Sequence, residues 1–399
     1  MNDNCVWPIK KKDTSHVDMR VIYQKLMVAY LAILIIGYIF QIYPPFHIIL
    51  AISVLSVFFS RKKIDVDYIR QYLFIILFSM YGIIVATFTG GGYGGPITII
   101  TGLMVCYAIE SMKFDKHDVY LIVICCIMSI IYWIIRSPGY YDEFFYNQWK
   151  GDGTLTNANG VGYILCYQGS FLFIILSLSK KKVLKKLKWV IGFLCLFGCY
   201  NVRARMAIIS LAFFLGCSLL IQLFPPKRIR FIKIILILSV LLEIIFPFIY
   251  VILYKSGFGS SIVFFGLSEK GLYSGREAIW IKAFDAIQSL PDLLFGIGSH
   301  QDFWKDKTLN MHNNAMNLLV VVGLVGMCVY YVYLIRYIFR KFDFKNASML
   351  QWQCMVFFVG VVIAGATDIT LFYNQFLAYY FIPLGISLNS NYKGFKTAL

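Results

Sequence analysis

Stretches of about twenty mostly apolar residues, the length that crosses the hydrocarbon core of a bilayer, recur along this chain. About twelve can be marked, at 22–42, 44–60, 69–89, 95–112, 118–136, 158–179, 188–201, 206–224, 231–254, 314–339, 351–368 and 371–389. Those at 44–60 and 188–201 are short, and the last two lie close together. Only 14% of the residues are charged and 59% are hydrophobic, whereas a soluble domain carries about 25% charged residues. The expected fold is an all-α polytopic membrane protein with about twelve transmembrane helices. No internal repeat or low-complexity linker divides it, so residues 1–399 are read as one membrane domain.

The net charge of +17 invites a nucleic-acid reading. The Lys and Arg residues, however, sit in short clusters between apolar runs and not along one face, so no nucleic-acid partner is expected. Placing the N-terminal "KKKD" in the cytoplasm and alternating puts roughly three-quarters of the 37 basic residues inside, as the positive-inside bias requires. An even number of spans leaves both termini cytoplasmic. "MNDNCVWPIKKKD" has no cleavage-site pattern, so no removable signal peptide is expected. All cysteines but Cys5 lie in or beside apolar runs without metal-site spacing, which reads as helix packing.

Two outer loops are long, about 137–157 and 255–313, and long ordered loops are usually functional. The second contains "YSGREAIWIKAFDAIQSLP". Ser274 and Glu277 have the spacing of a capping box. Ile279, Trp280, Ala283, Phe284, Ile287 and Leu290 then recur at helical spacing, and Pro291 ends the run. An amphipathic helix is expected here, along the outer membrane surface or against the bundle.

Several polar groups stand where polar groups are costly. Arg203 and Arg205 occupy the tight outer turn "NVRAR", and Arg276 the first turn of the loop helix. These positions oppose both the positive-inside bias and, for Arg276, the helix dipole. An anion would reconcile them, because guanidinium forks grip phosphate and a helix N-terminus offers unpaired N–H groups. Headgroup snorkelling, or pairing with Glu269, Glu277 or Asp285, would explain them as well. His312 precedes Asn313 and Asn314 at the start of the tenth span. It is a natural general base near neutral pH, and the asparagines are good helix caps. Glu243, inside the ninth span, either lines a cavity or fastens helices. Asp368 lies near an outer end, where it could balance an arginine. Asn159 stands at another outer mouth, "GTLTNANGVG", where turn chemistry explains it as well as substrate contact.

The chain has no G-x-x-x-x-G-K-[ST] run, which excludes a P-loop ATPase. "FGIGSH" follows a loop helix and not a strand, so it is no dinucleotide fingerprint. "DVD" at 65–67 lies in a short basic turn, a poor setting for a metal and sugar-nucleotide site.

The series "GTLTNANGVG", "RAR", "SGREAIWIKAFDAI", "LLFGIGSH" and "MHNNAMNLLVVVGLVG" resembles the O-antigen ligase and Wzy-type polysaccharide polymerase superfamily over roughly residues 150–330. There, a long external loop carries "GR..iW", then "G.G", then a His-Asn pair at the next span. The resemblance implies a GT-C-like glycosyltransferase of the bacterial cytoplasmic membrane, with its site on the outer face. It implies undecaprenyl-pyrophosphate-linked glycan as donor and acceptor, the bilayer as surroundings, and a chain-length regulator as a candidate partner. Carried over residue by residue, Arg205 and Arg276 bind the pyrophosphate and His312 activates or orients the acceptor hydroxyl. Two arginines, Arg203 and Arg205, stand in a turn that usually carries one. Asn159, Asn313 and Glu243 are candidate substrate contacts.

The donor brings its own leaving group, so neither ATP nor another cofactor is expected, and guanidinium groups could stand in for a metal. The expected activity is polymerisation of lipid-linked repeat units for capsule, exopolysaccharide or O-antigen. The alternatives are a ligase of the same superfamily and a flippase of lipid-linked glycan.

Overall fold

The computed structural model describes residues 19–40, 45–60, 66–90, 93–149, 157–224, 228–258, 275–298, 311–368, 371 and 374–389. They form fifteen helices, and no strand occurs among the described residues. The helices that coincide with the expected spans are α1 (Met19–Phe40), α2 (Phe46–Ser60), α3 (Val66–Thr89), α4 (Gly94–Ser111) and α5 (Lys116–Arg136). They continue with α7 (Ala158–Ser177), α8 (Lys182–Asn201), α9 (Arg205–Leu223), α10 (Arg228–Lys255), α13 (Asn314–Lys341), α14 (Met349–Gly365) and α15 (Asn374–Leu388). The two long loops contain α6 (Tyr140–Trp149), α11 (Arg276–Ala286) and α12 (Leu290–Phe295).

Eight of these helices are long and apolar enough to cross a membrane. Apolar segments of α2, α14 and α15 are shorter, and α8 carries Lys182, Lys185, Lys186 and Lys188 in its first two turns. The chain is thus a polytopic helical membrane protein. α7 and α14 are buried almost all round and form the centre of the bundle. Around them α3, α5 and α10 expose large apolar side chains such as Ile76, Ile124 and Leu238, as lipid-facing helices do. Close packing relies on small residues. Gly162 of α7 faces Ala204, Gly169 faces Cys195, and Gly102 of α4 accepts the ring of Phe381. The described cysteines are all unbridged, and all but Cys328 are buried, in keeping with a packing role.

The loop helices depart from expectation at both ends. The residue preceding α11 is Gly275, in a left-handed conformation with φ 83°, and its N–H donates to the Glu277 carboxylate at 3.1 Å. Ser274, the expected cap, lies outside the described residues. α11 ends at Ala286, before Pro291. Ser289 instead caps a second helix, α12, with Asp292 completing the capping box and Pro291 in its first turn. Pro291 therefore starts a helix, where its missing N–H costs nothing, and Leu290 belongs to α12 and is exposed. The rest of the apolar face holds: Trp280 is fully buried, at 5.0 Å from the Tyr250 ring and 6.0 Å from Phe246 of α10. α11 therefore docks against the bundle.

α13 is not continuous. Gly323 takes φ 69°, and the helix breaks there. The "FGIG" turn after α12 enters the break: Ile297 N–H donates to the Val320 carbonyl at 2.9 Å. The Tyr81 hydroxyl donates to the Val322 carbonyl at 2.7 Å. A Cβ on Gly323 would stand 2.4 Å from the Gly296 nitrogen. The two glycines permit a backbone-to-backbone approach that no side chain would allow, and the carbonyls freed by the break keep partners.

Candidate active site

At one end of the bundle α7, α9, α11 and α13 begin and α14 ends. The α8–α9 turn is held against α7 by the Gly162–Ala204 approach and by the Cys199 thiol, which donates to the Gly162 carbonyl at 3.2 Å. In that turn Arg203 has φ 54°. Its guanidinium lies 4.5 Å from the centre of the Tyr141 ring and 3.5 Å from an Asp142 carboxylate oxygen, both on α6. Arg205, the first residue of α9, is half-buried, and its charge acts on that of Arg276. Both arginines of the turn lie near Tyr141, and Arg205 also acts on Tyr250. Arg203 is held by α6, while Arg205 is near enough to Arg276, on the helix seated by Trp280, for their charges to act on each other.

His312 also takes a left-handed backbone, φ 47°. It and Arg203 are the two non-glycine residues with positive φ among the described residues. Such a conformation costs about 1–3 kcal/mol and tends to persist at functional sites. The half-buried imidazole places Nδ1 at 3.4 Å from Asp368 Oδ1, just past the end of α14. Asp368 in turn is a hydrogen-bonding partner of the Tyr163 hydroxyl on α7, and Tyr163 senses the charge of Arg276. Arg205, Arg276, Tyr163, Asp368 and His312 therefore form one electrostatic neighbourhood. A carboxylate on Nδ1 fixes the imidazole and directs Nε2 outward. Long catalytic hydrogen bonds are usual before substrate arrives.

Asn313 and Asn314 are fully buried. Asn313 caps α13, its side-chain oxygen accepting from Met316 N–H at 2.7 Å. Its amide group donates to the Ala366 and Glu243 carbonyls at 2.8 and 2.9 Å. Asn314 donates to Glu243 Oε1 at 2.6 Å and accepts from Leu371 N–H at 3.0 Å. Glu243 is fully buried, and its second oxygen accepts from the Tyr331 hydroxyl at 2.9 Å. A Cβ on Gly365 would stand 2.1 Å from the Glu243 carboxylate. Of the residues considered as substrate contacts, Asn313 and Glu243 hydrogen-bond to neighbouring helices. Asn159 is half-buried in the first turn of α7, its N–H bonded to the Asn157 cap at 2.9 Å.

Sequence reasoning singled out the arginines and the histidine but did not join Asp368 to His312 or include Tyr163. A tyrosine in an apolar run reads as packing, and the Asp368 partner lies 56 positions away. No group of His, Cys, Asp and Glu among the described residues is arranged to hold a metal.

No curated protein matches the chain. Residues 190–331 match a family model described as O-Antigen ligase. That stretch runs from α8 into α13 and holds Arg203, Arg205, Glu243, Arg276 and His312. Over that stretch the chain is similar to the O-antigen ligase family, consistent with the resemblance to the O-antigen ligase and Wzy-type superfamily.

Proposed function

We propose that this protein is a glycosyltransferase that polymerises undecaprenyl-pyrophosphate-linked oligosaccharide repeat units at the outer face of a bacterial cytoplasmic membrane. It would have a twelve-span, GT-C-like architecture with both termini inside. The observation that carries this reading is the 3.4 Å approach of His312 to Asp368, with Arg205 and Arg276 near enough for their charges to act on each other. His312 Nε2 takes the proton from the acceptor sugar hydroxyl, and Asp368 steadies the resulting imidazolium. The freed oxygen attacks the anomeric carbon of the donor. The bond from that carbon to the pyrophosphate oxygen breaks, and the electron pair leaves with the lipid pyrophosphate. Negative charge gathers on the leaving group, where Arg205 and Arg276 hold it more strongly than in the ground state. No nucleotide is consumed and no metal is required.

A ligase of the same superfamily is the second reading, favoured by the description of the matching family model. The two differ in acceptor and not in chemistry.

The test is reconstitution in lipid with a lipid-linked repeat unit, without nucleotide and with a metal chelator present. A ladder of longer lipid-linked glycans is expected. Transfer only to a separate acceptor would favour the ligase, and unchanged substrate that crosses the bilayer would overturn both in favour of a flippase. Arg276→Lys retains charge but loses the bidentate fork, and should slow the ladder by about 100-fold. Full activity in both Arg205→Lys and Arg276→Lys would rule out bidentate phosphate binding.

A further inference from the structure

The end of α13 opposite His312 gathers a second set of cations. Arg336, Arg340 and Lys341 of α13 and Arg70 of α3 line a cavity of about 190 Å³, with Tyr333 and Tyr337 in its wall. α13 spans 28 residues with a break at Gly323, so this cavity lies at most about 40 Å from His312, at 1.5 Å of rise per residue, and at the other end of the helix. It therefore has no part in the chemistry proposed above.

Positive charge at this end is what the loop bias predicts. That bias does not require cations from two distant helices to converge on one cavity, where they repel each other. Among the described residues Lys341 meets Glu110 at 3.5 Å, and Glu110 also accepts from the Tyr337 hydroxyl. Arg70 and Arg336 have no ion pair among the described residues and are exposed. Three of the four cations are arginines, the side chain suited to phosphate.

The surroundings identify the kind of phosphate. Val332 and Val329, one and two turns before Arg336, are exposed on α13, and Leu73, Ile76, Leu77 and Met80 are exposed on α3 just beyond Arg70. Two apolar helix faces therefore lead up to one cationic cavity at the end of the spans. The ring of Tyr333, stacked on Phe74 at a centroid distance of 3.5 Å, forms a flat wall where they meet. This arrangement fits a molecule with a phosphate head and paired hydrocarbon tails. We propose that the cavity between α3 and α13 is a binding site for the headgroup of an anionic phospholipid, in the leaflet opposite the His312 site. Its acyl chains lie along the exposed faces of those two helices. Basic pockets between transmembrane helices take such headgroups through charge and hydrogen bonding.

The test uses the full chain reconstituted with equimolar phosphatidylglycerol and phosphatidylcholine, without glycan, so its result is independent of the enzymatic reading. Retained lipid is counted by native mass spectrometry. Wild type should retain phosphatidylglycerol preferentially. Arg336→Gln with Arg340→Gln should lower that preference by about 30-fold, as two charges near an anionic surface are worth. Both side chains are exposed, so the core is untouched. Arg336→Lys with Arg340→Lys should keep part of the preference. The proposal is overturned if wild type shows no preference, if the Gln pair retains it, or if the Lys pair loses it as fully as the Gln pair. It is also overturned if inorganic phosphate displaces the lipid, since the site would then read a free anion. Retention of an acidic protein in place of lipid would overturn it too.

Discussion

Asn313 and Asn314 are neighbours in sequence, yet they serve different parts of the bundle. One caps α13 and ties α10 to the end of α14; the other holds the Glu243 carboxylate and the backbone of Leu371. The capping role was legible, because asparagine before an apolar run is a helix-start signal. The fastening of Glu243 was one of two readings left open, and its partners were not legible, since nothing in the chain marks which spans face one another. Gly365 makes room for this network. Gly365→Ala should push Glu243 and Asn314 apart and destabilise the protein by about 1–3 kcal/mol, the cost of an unmet buried polar group, read as a lower unfolding temperature in detergent. Glu243→Gln keeps a hydrogen-bonding side chain of the same shape and should leave turnover nearly unchanged. The His312–Asp368 pair is the opposite case. His312→Ala should lower turnover by about 100- to 10,000-fold, the usual worth of a general base. Asp368→Asn, which keeps the ring in place but weakens its orientation, should cost less, about tenfold or more. Equal loss in the two variants, measured as initial rates with lipid-linked substrate, would show that Asp368 does more than orient the ring.

At the scale of elements, the departures gather where chain segments distant in sequence meet. The apolar spacing from Ile279 to Phe284 was enough to predict α11 and its buried face. The break in α13 was hidden, because a glycine in an apolar run also suits ordinary close packing of helices. "FGIGSH" was excluded as a nucleotide motif on context, but its actual partner, the backbone around Gly323, could not be read from spacing. Gly323→Ala would meet the backbone of Leu294, Phe295 and Gly296 at about 2.4 Å and force a side chain into a left-handed conformation. We expect α12 to lift away, with the Ile297 amide losing its protection against hydrogen exchange and the 287–298 segment becoming sensitive to protease. Unchanged exchange at Ile297 would mean that the clamp is not what holds the loop.

For the molecule as a whole, apolar recurrence predicted the helices of the bundle well, since the length of hydrocarbon to be crossed leaves little choice of element. It could not give the order of packing around α7 and α14, which depends on contacts such as Gly162 with Ala204. The proposed topology puts Tyr93 outside and Lys345 inside. Tyr93→Cys should react with an impermeant maleimide in intact cells, whereas Lys345→Cys should react only after permeabilisation. The reverse pattern would place the His312 end in the cytoplasm and remove the proposed reaction from the outer face.

Arg205 starts a helix of the bundle, whereas Arg276 starts a helix of the loop, seated by Trp280 and by the glycine contact in α13. In the proposed reaction the two jaws of the phosphate grip would therefore be mounted on different parts, one in the bundle and one in the loop. Raising the loop jaw alone would let a spent carrier lipid slide out sideways while the fixed jaw and the histidine stayed in register for the next one. Repeated rounds of transfer would then need a small hinged movement at the rim, with no rocking of the transmembrane core.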